Sequence, residues 1–80
     1  MTNESKNKHY DKYIRMGLNI ALQRKLKNMT QADLAEAINI SRTHMSNIEA
    51  PNMITAVSLE VIFNISDVLQ ITPDVLLKMD

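Results

Sequence analysis

The chain has no cysteine and no tryptophan, a single glycine in 80 residues, and only three aromatic side chains. Without cysteine, neither a disulfide nor a thiolate zinc site can stabilise the fold. A single glycine excludes the glycine-rich loops that cradle phosphates in nucleotide-binding proteins. The core must therefore consist of aliphatic side chains and methionine, and 80 residues suffice for one small domain.

Catalytic and metal-binding patterns are missing as well. His9 and His44 are far apart and show no HxxxH or HxxE spacing, so a metal site is not expected. Acidic neighbours such as Asp33 and Glu36 have the spacing of ordinary exposed carboxylates on a helix. We therefore predict a protein without enzymatic activity, cofactor, metal or small-molecule substrate.

Long apolar runs are also absent. No stretch approaches the length of a membrane span, and the first thirteen residues are polar, unlike the apolar centre of a signal peptide. We expect a cytoplasmic protein that does not bind membranes.

The formal net charge is zero, but the charges are unevenly distributed. Residues 1–48 contain eight Lys or Arg and four acids, which gives +4, whereas residues 49–80 contain one Lys and five acids, which gives −4. An anionic partner would be attracted to the N-terminal part, and the acidic part would face away or bind something else.

Helix-start signals dominate the rest of the chain. Residues 1–9 are polar and predict a flexible arm, and residues 10–80 predict a single domain. Ile14, Leu18, Ala21, Leu22 and Leu26 recur at helical spacing and predict a first helix over 10–27. Four Ser or Thr N-caps follow, each bracketed by a hydrophobic staple: Met29-Thr30-Leu34, Ile40-Ser41-Met45, Val57-Ser58-Ile62 and Ile71-Thr72-Leu76. They predict helices over 31–38, 42–49, 59–69 and 73–79.

Turn signals agree with this layout. Asn28 and Asn39 stand where the chain must leave a helix, and asparagine tolerates the left-handed conformation better than most residues. Pro73 occupies a first helical position, where its missing N–H is not needed. No alternating β pattern appears, so the fold class is all-α, with five helices. Gly17 weakens the first helix by about 1 kcal/mol unless close packing requires a residue without a side chain.

The N-caps Thr30 and Ser41 are so close that only a short helix and a tight turn fit between them. This spacing predicts a helix-turn-helix over about 30–49. At about 100° per residue, Met45 and Ile48 fall on one side of the second helix. Arg42, Thr43, Ser46 and Asn47 fall on the other side, with His44 at its edge. Arginine can pair with guanine, asparagine with adenine, and the threonine methyl with thymine, so the polar side suits the major groove.

An ordered set of residues resembles the phage repressor and Cro-like (XRE-type) helix-turn-helix proteins from Gly17 to Leu77. Its markers are Ile20, Arg24, Thr30-Gln31, Leu34-Ala35, Ile40-Ser41, Met45-Ser46-x-Ile48-Glu49, Ile62-x-x-Ile65-x-x-x-Leu69 and Pro73-Asp74-x-Leu76. The resemblance implies a lambda-repressor-like domain of five helices that binds double-stranded DNA.

The resemblance also implies roles for individual residues. Base-reading positions match Arg42, Thr43 and Asn47. Contacts to the DNA backbone are expected from Gln31, Ser46, His44 and Asn52. Arg24 and Glu49 match an ion pair that joins the first helix to the third and fixes the recognition helix.

Three features depart from the family pattern. Asn39 replaces the usual turn glycine, and Gln23 stands where a core aliphatic residue is usual. The loop after Glu49, APNMITAV, is about two residues longer than is common and lacks the usual glycine, which bears on its backbone contacts.

Two functions remain open. One is a sequence-specific transcription regulator, a repressor or autoregulator, that binds a pseudo-palindromic operator as a homodimer. The other is a protein-interaction module on the same fold, such as an antitoxin-like partner. One recognition helix makes too few contacts for specificity, and two copies would read half-sites about 34 Å apart. The expected dimer surface comprises Ile54, Val57, Val75, Leu77 and Met79, which exceed the needs of one small core.

Overall fold

The computed structural model describes residues 8–79, and within that range the backbone forms five helices and no strand. The helices are α1 (Tyr10–Leu26), α2 (Gln31–Ala37), α3 (Arg42–Glu49), α4 (Leu59–Leu69) and α5 (Pro73–Leu76). The predicted all-α class is confirmed. Most of the predicted N-terminal arm, residues 1–7, lies outside the described residues, and His9 occupies the N-cap position of α1.

Side-chain caps begin three of the helices as the sequence predicted. Before α2, the Thr30 hydroxyl accepts from the Asp33 N–H at 3.0 Å, and the Asp33 carboxylate accepts from the Thr30 N–H at 2.9 Å. These hydrogen bonds from the backbone and side chain of Thr30 lower the pKa of Asp33 below its usual value. Ser41 accepts from the His44 N–H before α3, and Ser58 accepts from the Val61 N–H before α4.

The last helix differs from the prediction at both ends. Thr72 occupies the N-cap position, but its side chain makes no capping hydrogen bond. The Val75 N–H donates to the Thr72 backbone carbonyl at 3.1 Å instead. The helix ends at Leu76 rather than continuing to residue 79. The side-chain amide of Asn19 in α1 donates to the carbonyls of Leu76 and Lys78 at 3.0 and 2.8 Å, and so satisfies two carbonyls at and beyond this helix end.

Three residues adopt the left-handed conformation at the turns. Asn28 (φ 58°) and Asn39 (φ 62°) lie where the sequence predicted helix exits. Gln70 (φ 59°) ends α4 in the same way, and this turn was not predicted because glutamine is not a typical residue for the position.

The core lies where the five helices meet, and every helix contributes to it. Its largest fully buried apolar side chains are Ile20, Leu34, Met45, Ile62, Ile65, Leu69 and Leu76. Burying one such side chain stabilises the fold by about 1.5–3 kcal/mol relative to leaving it in water. The α2–α3 pair therefore packs through this core against α1, α4 and α5.

The apolar recurrence that predicted α1 does not mark its buried face. Leu18, Leu22 and Leu26 are exposed, and the buried residues of α1 are Met16, Gly17, Ile20 and Arg24. The buried face includes a glycine and an arginine, so its apolar pattern is weaker than that of the exposed face.

Gly17 is required by the packing of α1 against the C-terminal end of α3. A Cβ atom at this position would overlap the carbonyl oxygen of Ile48. The missing side chain lets the two helices approach closely, which positions α3 directly against α1.

Candidate nucleic-acid interface

Helix α3 is anchored by its apolar side and presents its polar side outward. Met45 and Ile48 are buried in the core. Arg42, Thr43 and Ser46 are exposed, and His44 and Asn47 are half-buried. This distribution follows from the helical period, because residues three and four apart share a face.

The polar residues of α3 meet the first residue of α2. Gln31, Arg42, Thr43, Ser46 and Asn47 line one shallow depression of about 210 Å³. Five of the seven residues expected to contact DNA are therefore brought together on one surface. The other two, His44 and Asn52, do not line this depression; Asn52 is exposed in the loop between α3 and α4.

A buried ion pair fixes the C-terminal end of α3 to α1. The Arg24 guanidinium donates to both carboxylate oxygens of Glu49 at 2.8 Å, in a bidentate arrangement. Both side chains are more than nine-tenths buried. The hydrogen bonds to Glu49 raise the pKa of Arg24, burial opposes this rise, and the charge of the carboxylate adds to it.

The ion pair is extended by two further groups. Arg24 Nη1 donates to the Met29 carbonyl at 2.7 Å, in the segment between α1 and α2. Gln31 Nε2 donates to Glu49 Oε1 at 2.9 Å. Glu49 therefore accepts three hydrogen bonds, and the network joins α1, α2 and α3. The side chain of Gln31 is oriented by this contact, at the rim of the polar depression.

A tight turn connects α2 to α3. The Ile40 N–H donates to the Ala35 carbonyl at 2.9 Å, and Asn39 supplies the left-handed residue that redirects the chain. The family model described as helix-turn-helix, HTH_3, matches residues 20–76, which is most of the chain. The chain belongs to the repressor- and Cro-like helix-turn-helix family. A comparison with curated proteins and one with solved structures each found no significant match.

Membership in this helix-turn-helix family indicates a DNA-binding transcription regulator of a generally non-enzymatic class. Within residues 8–79, no group of three or more His, Cys, Asp or Glu is arranged to hold a metal ion. None of the helices in that range has the length and apolar character needed to cross a bilayer.

The residues expected at a dimer interface of this helix-turn-helix protein fall into two groups. Leu77 and Met79 are exposed and line an apolar groove of about 320 Å³ with Tyr13 and Met16 of α1. Ile54, Val57 and Val75 are half-buried. Val57 also packs against the core, so the expectation that all five residues are surplus to the core does not hold for Val57.

Besides the hydrogen bond between Gln31 and Glu49, sequence reasoning missed two polar contacts that support the helix-turn-helix. The Thr55 hydroxyl donates to the Asn47 carbonyl at 3.2 Å and ties the following loop to α3. Asn19 ties the C-terminal segment to α1. Both contacts join residues that are remote along the chain or lie in a loop, and no spacing rule identifies such pairs.

Proposed function

We propose that the protein is a sequence-specific repressor or autoregulator that inserts α3 into the major groove of its operator. The observation that carries this proposal is the convergence of Gln31, Arg42, Thr43, Ser46 and Asn47 on one outward depression. Basic and amide side chains on one helix face match the donors and acceptors on base edges.

The proposed DNA contacts are of two kinds: contacts to bases, which read the sequence, and contacts to the DNA backbone, which position the protein. Arg42, Thr43 and Asn47 contact bases. Gln31, Ser46, His44 and Asn52 contact the DNA backbone, and such contacts position a protein without reading sequence. The hydrogen bond between Gln31 and Glu49 supports the positioning role, because it holds the Gln31 amide in a fixed orientation beside α3.

The hydrogen bonds of Glu49 to Arg24 and Gln31 also support insertion of α3 into the major groove. Arg24, at the other end of the ion pair, belongs to the longest helix of the fold. A recognition helix of eight residues is short, and its orientation must come from tertiary contacts rather than from its own stability. The ion pair therefore serves to hold α3 at a fixed angle for insertion into the groove.

A symmetric homodimer completes the proposal. One α3 contacts only a few base pairs, and two copies related by a twofold axis read inverted half-sites. The exposed Leu77 and Met79 are available for this contact. Ile54, Val57 and Val75 would contribute the apolar surface that they do not use in the core.

A mobility-shift titration tests the proposal with upstream or selected duplexes at two salt concentrations. Affinity should fall steeply with salt as phosphate counterions are released. Arg42→Ala and Asn47→Ala should each relax preference at particular base pairs by about 1–3 kcal/mol, whereas Gln31→Ala should weaken binding evenly across sequences. Glu36→Ala, an exposed change on α2, is the matched control and should bind normally.

Two results would count against this assignment. Weak and equal binding to every duplex would favour the interaction module. A change of base preference in Gln31→Ala but not in Arg42→Ala would show that α3 lies in the groove in another orientation.

A further inference from the structure

Helix α1 carries a stripe of exposed leucines that neither the core nor the proposed DNA contact uses. Leu18, Leu22 and Leu26 are 45%, 54% and 64% exposed. Their spacing of four residues places them along one side of α1. Aliphatic side chains clustered on one exposed face are typical of an interaction surface.

Charged residues of opposite sign end the stripe. At about 100° per residue, Asp11, Ile14, Leu18, Leu22 and Lys25 fall within an arc of about 80°. Asp11 lies in the first turn of α1 and Lys25 in the last, and both side chains are exposed. At a rise of about 1.5 Å per residue, the two charges are about 21 Å apart along the helix.

This arrangement is complementary to itself in the antiparallel orientation only. If two copies of α1 pack with Leu18 against Leu18, Ile14 faces Leu22 of the other copy. Asp11 then faces Lys25 of the other copy, and the pair occurs twice. In a parallel arrangement Asp11 would face Asp11 and Lys25 would face Lys25. We propose that Ile14, Leu18 and Leu22, with Asp11 and Lys25 at their two ends, form a surface, here called the α1 stripe, that binds a second copy of the chain with the two α1 helices antiparallel.

The α1 stripe does not compete with the recognition helix. Helix α1 contacts α3 through Gly17 and Arg24, which lie about 100° or more around the helix from Leu18. Two copies joined through α1 therefore both keep α3 accessible. If the C-terminal dimer also forms, the α1 contact would join one dimer to the next, and the size of the assembly would depend on whether the two twofold contacts close.

Charge reversal tests the contact in the full chain without DNA. We would measure the assembly mass by sedimentation at about 100 µM, since two short helix faces bury less than a standard interface. Asp11→Lys and Lys25→Glu should each lower the wild-type mass, with association through α1 at least tenfold weaker. This expectation is the same whether α1 forms the only contact or joins C-terminal dimers to one another.

Restoration is the decisive part of the experiment. The double variant Asp11→Lys/Lys25→Glu recreates both pairs in the antiparallel orientation and should recover wild-type association to within about threefold. An equimolar mixture of the two single variants should also associate. Each reversal opposes the helix dipole, so association that followed helix stability alone would be weakest in the double variant.

Controls separate this contact from others. Glu36→Lys and Lys27→Glu reverse exposed charges outside the stripe and should leave the mass unchanged. Leu77→Lys should leave the α1 contact intact. Val75 is avoided because it lines a groove together with Leu22. A wild-type monomer at this concentration would overturn the α1 contact and would also count against the homodimer of the proposed function. A double variant weaker than both singles would overturn the α1 contact alone.

Discussion

Glu49 provides the sharpest test of how the recognition helix is held. Its carboxylate accepts from Arg24 Nε and Nη2 and from Gln31 Nε2, all at 2.8–2.9 Å and largely away from water. Glu49→Met would remove all three acceptor contacts. The Arg24 cation would remain buried and would keep its hydrogen bond to the Met29 carbonyl.

The expected loss is large for a domain of this size. Breaking a buried ion pair by removing one partner costs about 3–5 kcal/mol, because the other charge stays desolvated. A domain of 80 residues has a free energy of unfolding of about 4–12 kcal/mol. We therefore expect Glu49→Met to lower the free energy of unfolding by about 3 kcal/mol or more. Arg24→Met should lower it by a similar amount.

A double-mutant cycle isolates the ion pair from side-chain packing. Arg24→Met/Glu49→Met leaves no buried charge at the site, so its loss should be smaller than the sum of the two singles by about 2 kcal/mol or more. Urea unfolding followed by far-UV circular dichroism gives each value. Glu36→Met, at an exposed position, should stay within about 0.5 kcal/mol of wild type. Additive single losses, or a Glu49→Met loss as small as that control, would refute the reasoning.

Three further predictions concern packing, pH and assembly. Gly17→Ala should destabilise the fold by about 1–3 kcal/mol in urea unfolding despite alanine's better helix propensity, because its Cβ would meet the Ile48 carbonyl; a gain in stability would contradict the close approach. Asp33 has a lowered pKa in the fold, so the stability it confers is present above its unfolded pKa of about 3.9 and lost as pH falls through the folded value. Wild type should therefore lose its advantage over Asp33→Asn on acidification in unfolding titrations, and a difference independent of pH would exclude this linkage. Leu77→Lys should remain folded yet lose operator affinity through loss of the C-terminal dimer in sedimentation and mobility-shift assays, and full-strength operator binding by a monomer would exclude that dimer.

Most helix starts and two of the turns were predictable because their causes are local. Ser41 and Ser58 cap helices through hydrogen bonds to N–H groups three residues ahead. Asn28 and Asn39 adopt the left-handed backbone that asparagine tolerates. A single sequence window contains everything that these features need.

The buried face of α1 was not predictable from apolar periodicity. Arg24 is buried only because Glu49, 25 residues later, neutralises it and accepts its hydrogen bonds. Gly17 is buried because the backbone of α3 approaches it. These contacts are tertiary, and the exposed leucines of α1 gave the stronger periodic signal.

The contacts that hold the C-terminal segment against α1 are also tertiary. Beside the early end of α5, Asn19 donates to two carbonyls 57 and 59 positions away along the chain. In the candidate site, the helical period was enough to predict which residues of α3 form its polar face. It was not enough to predict the hydrogen bond between Gln31 and Glu49, because that contact depends on the angle between α2 and α3.

Selection of binding sites from a random pool of duplex DNA is the most direct test of sequence-specific reading by α3. We expect enriched sites with two inverted half-sites whose centres lie about 34 Å apart. Asn47→Ala should lose preference at the same base pair of each half-site. A selected pool no more alike than the starting pool would contradict sequence-specific reading by α3.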